Sequence, residues 1–271
     1  MRCVRCHEEN PPESNFCSGC GTRLGLTCVL CGAALIAGSR FCNKCGIPLE
    51  AQAPASRFAS PASYTPKHLA ERILTSKSAL EGERKHVTVL FADVKGSMEL
   101  AEQVDAEEWH RILDRFFEIL TEGVHRFEGT VNQYTGDGIM ALFGAPIAHE
   151  DHAQRACYAA LHLRERLDRY TDELRLSYGL NFGVRMGMNS GEVIVGKIGD
   201  DLRMDYTAQG QTVNLAARMQ QIAAAGRVYL TDVTARQVEG YFRVREIGPL
   251  RIKGIPDAVR VSDLEGVGTL R

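Results

Sequence analysis

Residues 87–97, VTVLFADVKGS, combine a strand, an acidic residue at its end and the start of a helix. The β-branched and apolar residues at 87–91 predict a buried strand. Asp93 follows that strand, and Gly96 and Ser97 precede a helical pattern that extends to about residue 127 in one or two pieces. Because backbone N–H groups are free where a helix begins, this turn is suited to phosphate oxygens.

A second acidic residue lies in the turn of the following hairpin. Residues 130–133 and 139–143 predict its strands, and YTGDG at 134–138 supplies the turn. Taken singly, a strand-end aspartate is more often a helix cap, and a Gly-Asp-Gly turn is more often only a turn. Together, Asp93 and Asp137 can converge on Mg2+ that bridges nucleotide phosphates. We therefore interpret the two carboxylates as a metal site.

The rest of the chain alternates strands and helices. Apolar periodicity predicts a helix at about 150–175, strands near 180–188, 191–197 and 203–208, and a helix at about 211–223, with shorter pieces to about 263. Mixed strand and helix order with hairpins predicts an α+β or mixed α/β sheet. Cys157 is interpreted as a buried apolar residue of the long helix. His149 and His152 lie where that helix opens, and we interpret them as part of a plain first turn rather than a metal site.

The N-terminal segment contains an internal repeat of cysteines with the spacing C-x2-C-x10-C-x2-C, and the second unit follows the first by 25 residues. Two residues between cysteines let a tight turn direct both sulfurs at one ion, and two such turns give the four-thiolate shell that structural Zn2+ prefers. Disulfides are the alternative, and an intracellular chain disfavours them. The doubled unit resembles the double zinc ribbon family over residues 1–46. The predicted ligands of two Zn2+ ions are Cys3, Cys6, Cys17, Cys20, Cys28, Cys31, Cys42 and Cys45.

The composition indicates a globular protein of 271 residues with a formal net charge of −2. A chain with this net charge has no overall positive potential that would attract nucleic acid. The sequence contains no run of eighteen apolar residues, so no membrane span is predicted. We expect a cytoplasmic protein. The predicted layout is a ribbon domain at 1–49, an Ala/Pro/Ser-rich linker at 50–65, a coupling helix at 66–82 and a catalytic domain at 83–265.

Three blocks of the larger domain resemble the signature blocks of class III adenylyl and guanylyl cyclases. They are FADV at 91–94, YTGDGIMA at 134–141 and YTAQGQTVNLAARM at 206–219, and the resemblance covers about residues 84–264. It implies the ferredoxin-like α+β fold of that family, a mixed sheet flanked by helices. Among its members, the sequence is similar to the bacterial and soluble-type branch that carries threonine at the base-reading position.

The resemblance also implies a head-to-tail homodimer with the active sites at the subunit interface. In this arrangement Asp93, Asp137 and the Val94 backbone of one chain hold two Mg2+ or Mn2+ ions, and Asn214 and Arg218 of the other chain orient the ribose and neutralise the transition state. Residues that contact the triphosphate would include Val94, Gly96, Ser97 and, at the C-terminal end, Lys253.

The base-reading positions depart from the usual adenylyl pattern. A lysine normally precedes the hairpin turn, and here Gln133 takes that place, with Thr207 as its partner. Gln and Thr can each donate or accept a hydrogen bond, so adenine remains readable, whereas the Glu and Cys of the usual guanylyl pattern are absent. The loss of the lysine charge is expected to lower activity or to blur the choice of base.

These observations favour an adenylyl cyclase that converts ATP to cyclic AMP. One alternative is a cyclase-like ATP sensor with little turnover, whose zinc ribbons bind a protein or nucleic acid; a second is a guanylyl cyclase. For the ribbons themselves a protein partner is favoured over nucleic acid, because their charges are mixed and no aromatic stacking platform is evident. Relatives with this layout often continue into an ATPase and repeat region, so the chain is interpreted as a candidate fragment.

The helix predicted to begin at Pro66 is expected to couple the zinc ribbons to the catalytic dimer. Deleting residues 1–80 should therefore change dimerisation, cyclase activity or both, as measured by light scattering and a product assay. Unchanged values for both would contradict a coupling role.

Overall fold

The computed structural model of this chain describes residues 83–195, 211–252, 254–255 and 257–268, together with 8–9, 18–19 and 44. The chain divides into two compact units, Met1–Ser56 and Arg57–Arg271. The predicted zinc ligands, the linker, the coupling helix, the strand at 203–208, Thr207 and Lys253 lie outside the described residues. No helix in the described part has the length and apolarity needed to cross a bilayer.

A seven-stranded mixed sheet organises the described part of the second unit. Its strands are β1 (Glu83–Lys95), β2 (Thr130–Tyr134), β3 (Gly138–Phe143), β4 (Gly183–Val195), β5 (Val228–Thr231), β6 (Phe242–Leu250) and β7 (Val259–Val267). They follow the order β2-β3-β1-β4-β5-β7-β6, in which β4 and β5 are parallel and the other neighbours are antiparallel. The mixed α+β sheet expected from the sequence is confirmed.

Five helices accompany the sheet in the described residues. They are α1 (Ser97–Ala101), α2 (Ala106–Arg126), α3 (His152–Tyr178), α4 (Gln211–Ile222) and α5 (Asp232–Gln237). The helical pattern after Asp93 thus forms two pieces. The second begins where the Asp105 carboxylate accepts a hydrogen bond of 2.8 Å from the backbone N–H of Glu108, which satisfies a free donor of the first turn.

The core lies on both faces of the sheet, because side chains alternate along each strand. On β1, Leu90 and Ala92 pack into the cluster that contains the apolar faces of α2 and α3. Val87 and Val89 pack on the opposite face, in a cluster with Ala216 of α4. Cys157 is fully buried in α3, and this burial raises the pKa of its thiol.

Strand β4 differs from the sequence expectation of two strands at 180–188 and 191–197. It runs without interruption, and Asn189, Ser190 and Gly191 pair with β1 in continuous register. The glycine at 191 is required by packing and does not mark a turn. A Cβ on Gly191 would lie 2.7 Å from Oγ1 of Thr212 in α4. Strand β1 also begins earlier than predicted, at Glu83.

Helix α4 makes its closest approach to the sheet at Gly187 of β4. A Cβ at this position would lie 1.9 Å from the backbone nitrogen of Gln220, so any side chain would push the helix away. The position of α4 therefore depends on a glycine in the middle of β4.

We expect Gly187→Ala to lower the free energy of unfolding by about 3 kcal/mol, the upper end of the range for overpacking, because the obstacle is helix backbone. Urea titration would measure the change. Gly240→Ala is the control: its Cβ would meet open space, and its φ of 82° leaves only backbone strain of about 1–2 kcal/mol. A loss at Gly187 no larger than that at Gly240 would contradict the packing argument.

Candidate active site

Asp93 and Asp137 come together because β1 pairs with β3. Asp93 lies opposite Gly138 in the register, directly beside the hairpin turn. A Cβ on Gly138 would lie 2.3 Å from the carbonyl oxygen of Ala92, so this close approach requires glycine. The turn is further held by the N–H of Val94, which donates to the carbonyl of Asp137 at 3.0 Å. The predicted carboxylate pair is thus a feature of the folded chain.

The pair is electrostatically frustrated. Burial raises the pKa of Asp93, and the charge of Asp137 acts in the same direction. A hydrogen bond from Arg185 opposes both effects but does not cancel them. Two neighbouring carboxylates, of which only Asp93 bonds to a guanidinium, favour the approach of a cation.

Arg185 is the site residue that sequence reasoning missed. It faces Asp93 across the β1–β4 ladder, and its Nη2 donates to Oδ1 of Asp93 at 3.1 Å. Nη1 donates to the carbonyl of Gln221 at 3.3 Å, while the buried Nε has no hydrogen-bond partner among the described residues. The side chain therefore places a positive charge beside the carboxylates, where an anionic ligand would meet it. Only the pairing of strands 92 positions apart along the chain reveals this contact.

Ser97 also belongs to this group. Gly96, in a left-handed conformation with φ of 69°, is the N-cap residue of α1. The hydroxyl of Ser97, the first residue of the helix, donates to Oδ2 of Asp137. This hydrogen bond orients the Asp137 carboxylate. In the structure, Ser97 thus contacts a candidate metal ligand.

Asn214 and Arg218 form a second group, on α4. They are four residues apart and so occupy one face of the helix. Asn214 is exposed, and Arg218 is partly buried with its Nη1 donating to Oε1 of Gln221 at 2.7 Å. Gln221 therefore contacts both Arg218, through its side chain, and Arg185, through its backbone.

Gln133 lies on the edge strand β2 and is exposed. The ladder between β2 and β3 shifts register between Val131 and Gln133. The next residue, Tyr134, is held by a hydrogen bond of 2.7 Å to Thr121 and an edge-on contact with Phe117. The end of β2 is therefore anchored to α2 while Gln133 remains accessible.

The donor set fits a hard divalent cation. Within the described ranges, no three His, Cys, Asp or Glu side chains gather around one point. The carboxylates at this site are those of Asp93 and Asp137. Mg2+ is commonly bound through one or two carboxylates, with waters and substrate phosphates completing its shell. Burial and the Asp137 charge disfavour the ionised form of Asp93, as its raised pKa shows. A bound cation would offset this unfavourable electrostatic energy.

Comparisons with known proteins identify two families along the chain. The adenylate and guanylate cyclase catalytic domain family matches residues 81–264, and the double zinc ribbon family matches residues 3–46. Adenylate cyclase 1 of Rhizobium meliloti is 32% identical over 213 residues, which are 76% of this chain and 32% of that enzyme. The chain thus spans about a third of that relative's length.

Solved structures also match. The adenylyl cyclase CyaB from P. aeruginosa aligns with a TM-score of 0.65 and 28% identity, over 71% of this chain and all of that one. The guanylate cyclase domain of RhGC from Catenaria anguillulae, solved with GTP, aligns with a TM-score of 0.61 and 25% identity, over 68% of this chain and 99% of that one. The chain belongs to the family of adenylate and guanylate cyclase catalytic domains, preceded by a double zinc ribbon.

Proposed function

We propose that this chain is an adenylyl cyclase that converts ATP to 3′,5′-cyclic AMP and pyrophosphate as a homodimer. The observation that carries the proposal is that Asp93 and Asp137 lie next to each other, with the guanidinium of Arg185 bonded to Asp93. Asn214 and Arg218 lie on a different element, α4. A head-to-tail dimer would bring Asn214 and Arg218 of the partner subunit to the carboxylates, so that each site takes residues from both chains.

The carboxylates of Asp93 and Asp137, with the backbone carbonyl of Val94, would hold two Mg2+ or Mn2+ ions. When bound, these ions lower the pKa of the ribose 3′-hydroxyl and stabilise the charge on the departing pyrophosphate. The hydrogen bond from Ser97 keeps the Asp137 carboxylate in one orientation.

The remaining residues act on the nucleotide. In the reaction, the 3′-oxygen loses its proton and bonds to the α-phosphorus, while the bond from that phosphorus to the bridging oxygen breaks and pyrophosphate leaves. Asn214 orients the ribose, and Arg218 donates to the α-phosphate oxygens, whose charge grows in the transition state. Arg185 and Lys253 would contact the triphosphate, as would Gly96 through its backbone.

Gln133 and Thr207 would read the base. The exposed amide of Gln133 can donate to adenine N1 or accept from its amino group. The absence of a lysine charge at this position supports one further candidate, an ATP-sensing module with little turnover, whose ribbons would carry two Zn2+ ions and bind a protein. A guanylyl cyclase is a second alternative, because both nucleotide classes occur among the structural relatives.

Purified full-length chain is expected to form cyclic AMP from ATP with Mg2+ or Mn2+, and to form less cyclic GMP from GTP. Asp93→Ala and Arg218→Ala should each reduce kcat by at least about 100-fold, because each removes stabilisation of transition-state charge. Product formation is measured by chromatography. Arg236→Ala, which removes an exposed arginine of α5, is the control and should leave kcat unchanged.

Mixing the two inactive variants tests the shared site. Half of the reassorted dimers would contain one intact site, so activity should recover to roughly a quarter of the wild-type rate. Absence of recovery would contradict the shared site. ATP binding without product would instead indicate the sensor, and a preference for GTP would indicate a guanylyl cyclase.

Asp93→Asn is expected to raise the free energy of unfolding of the metal-free protein at neutral pH while abolishing turnover. The folded pKa of Asp93 is raised above its ordinary value of 3.8, so ionisation disfavours the folded state. The advantage of the variant should be absent below pH 3.8, grow as the pH rises and be complete above the folded pKa. Thermal unfolding across this pH range measures it.

Divalent metal should raise the Tm of the wild type but not that of Asp93→Asn. Asp168→Asn is the matched control, since burial also raises the pKa of Asp168 but this residue lies on α3, away from the site. Its response to metal should equal that of the wild type. A metal response that persists in Asp93→Asn would contradict the assignment of Asp93 as a ligand.

A further inference from the structure

Helix α4 packs on one face of β4. Because side chains alternate along a strand, Arg185, Gly187, Asn189 and Gly191 share this face. The two glycines allow close approach of the helix, as described above. The two polar residues bond to it: Arg185 donates to the carbonyl of Gln221 in the last turn, and Asn189 reaches the first turn.

Asn189 is almost fully buried, with 2% of its surface exposed, and both ends of its amide are used. Nδ2 donates to the carbonyl of Thr212 at 2.9 Å, and Oδ1 accepts from the hydroxyl of Thr231 at 2.6 Å. The two partners settle the orientation of the amide, since a flipped amide would set its oxygen against the Thr212 carbonyl. A buried polar group that loses its partner costs about 1–3 kcal/mol, so this orientation is firmly held.

Thr231, in turn, is part of a buried hydrogen-bond chain that passes around the end of β5 to the other face of the sheet. Each of its members is less than one-tenth exposed. The chain runs from Thr231 to Thr234 (3.4 Å), Ser190 (3.0 Å), Thr88 (2.7 Å) and Nδ1 of His152 (2.8 Å). Asn189 therefore links α4 to groups that are fixed by the core on both faces.

The hydrogen bond from Asn189 to the Thr212 carbonyl restrains the helix that carries the residues assigned to nucleotide binding. Asn214 and Arg218 follow Thr212 by two and six positions on the same helix. The Thr212 hydroxyl makes a second bond to β4, donating to the carbonyl of Glu192 at 2.8 Å, but this bond is exposed to competing water. Of these two bonds between β4 and the first turn of α4, the one from Asn189 is the better shielded from water, because its donor side chain is buried.

We propose that Asn189 is a positioning residue for catalysis: by holding the Thr212 carbonyl, it sets the position of α4 and thereby of Asn214 and Arg218. This inference rests on the proposed function, because it requires those two residues to act on the nucleotide. A displacement of about 1 Å in a catalytic group can reduce the rate about 100-fold. The loss of one restraint on α4 is therefore expected to affect kcat more than nucleotide or metal binding.

Asn189→Ala and Thr231→Val test this in the full-length dimer. Each should reduce kcat by about 10- to 100-fold, while KM changes less and the metal-induced rise in Tm equals that of the wild type. Thr231→Ser keeps the hydroxyl that Thr231→Val removes, and its kcat should therefore equal that of the wild type. Wild-type kcat in Asn189→Ala, or loss of the metal response, would overturn the proposal.

A matched control separates positioning from stability. The Tyr170 hydroxyl is another buried donor to a helix carbonyl, that of Ile112 in α2, at 2.9 Å. Tyr170→Phe should lower Tm about as much as Thr231→Val but leave kcat unchanged, since α2 carries none of the assigned residues. An equal fall of kcat in both variants would mean that stability alone explains the effect.

Mixed dimers show whether Asn189 acts on the carboxylates of its own chain or on the α4 residues that its chain contributes to the partner's site. Asn189→Ala should recover activity when mixed with Asp93→Ala, because one site then joins intact carboxylates to an intact α4. It should not recover when mixed with Arg218→Ala. The reverse pattern, or recovery with neither variant, overturns the role of Asn189, provided that Asp93→Ala and Arg218→Ala complement each other. If that reference pair fails to complement, it is the proposed shared site that fails.

Discussion

The close antiparallel pairing of β1 with β3 at Asp93 and Gly138 is the contact on which the candidate site depends. Glycine is required there because a Cβ would lie 2.3 Å from the Ala92 carbonyl oxygen. With the strands at this distance, the turn before β3 rests on the end of β1, and the Val94 N–H bonds to the Asp137 carbonyl. A slip of one residue would turn the side chains of one strand to the other face and separate the carboxylates.

That pairing imposes an electrostatic cost on the folded chain. Asp93 is partly buried, faces a second carboxylate and is only partly compensated by Arg185, so its pKa is raised. By contrast, fully buried Asp263 faces two guanidinium groups: its Oδ2 lies 2.9 Å from Nη2 of both Arg227 and Arg245. An incompletely compensated acidic pair at the end of a central strand is typical of a site whose function is gained at the expense of stability.

Strand β4 connects the two groups of site residues. Its first polar residue, Arg185, contacts Asp93 on β1 and the end of α4, and Asn189 contacts the start of α4. The strand between them carries Gly187, where the helix backbone approaches most closely. All these contacts are made from one face of β4. The orientation of Asp93 and the position of α4 therefore both depend on this strand.

The sequence by itself predicted most of the strands and helices and the candidate metal-binding carboxylates. Local patterns predicted the strand before Asp93, the hairpin that carries Asp137 and the helix that presents Asn214 and Arg218 on one face, because periodicity and turn chemistry act within a few residues. The tertiary structure alone decided that β4 is continuous, that Arg185 faces Asp93 and that Asn189 holds Thr212. These contacts join segments 23 to 92 positions apart. They depend on strand register and helix packing, which are set by burial across the whole domain and leave no periodic signal in the residues concerned.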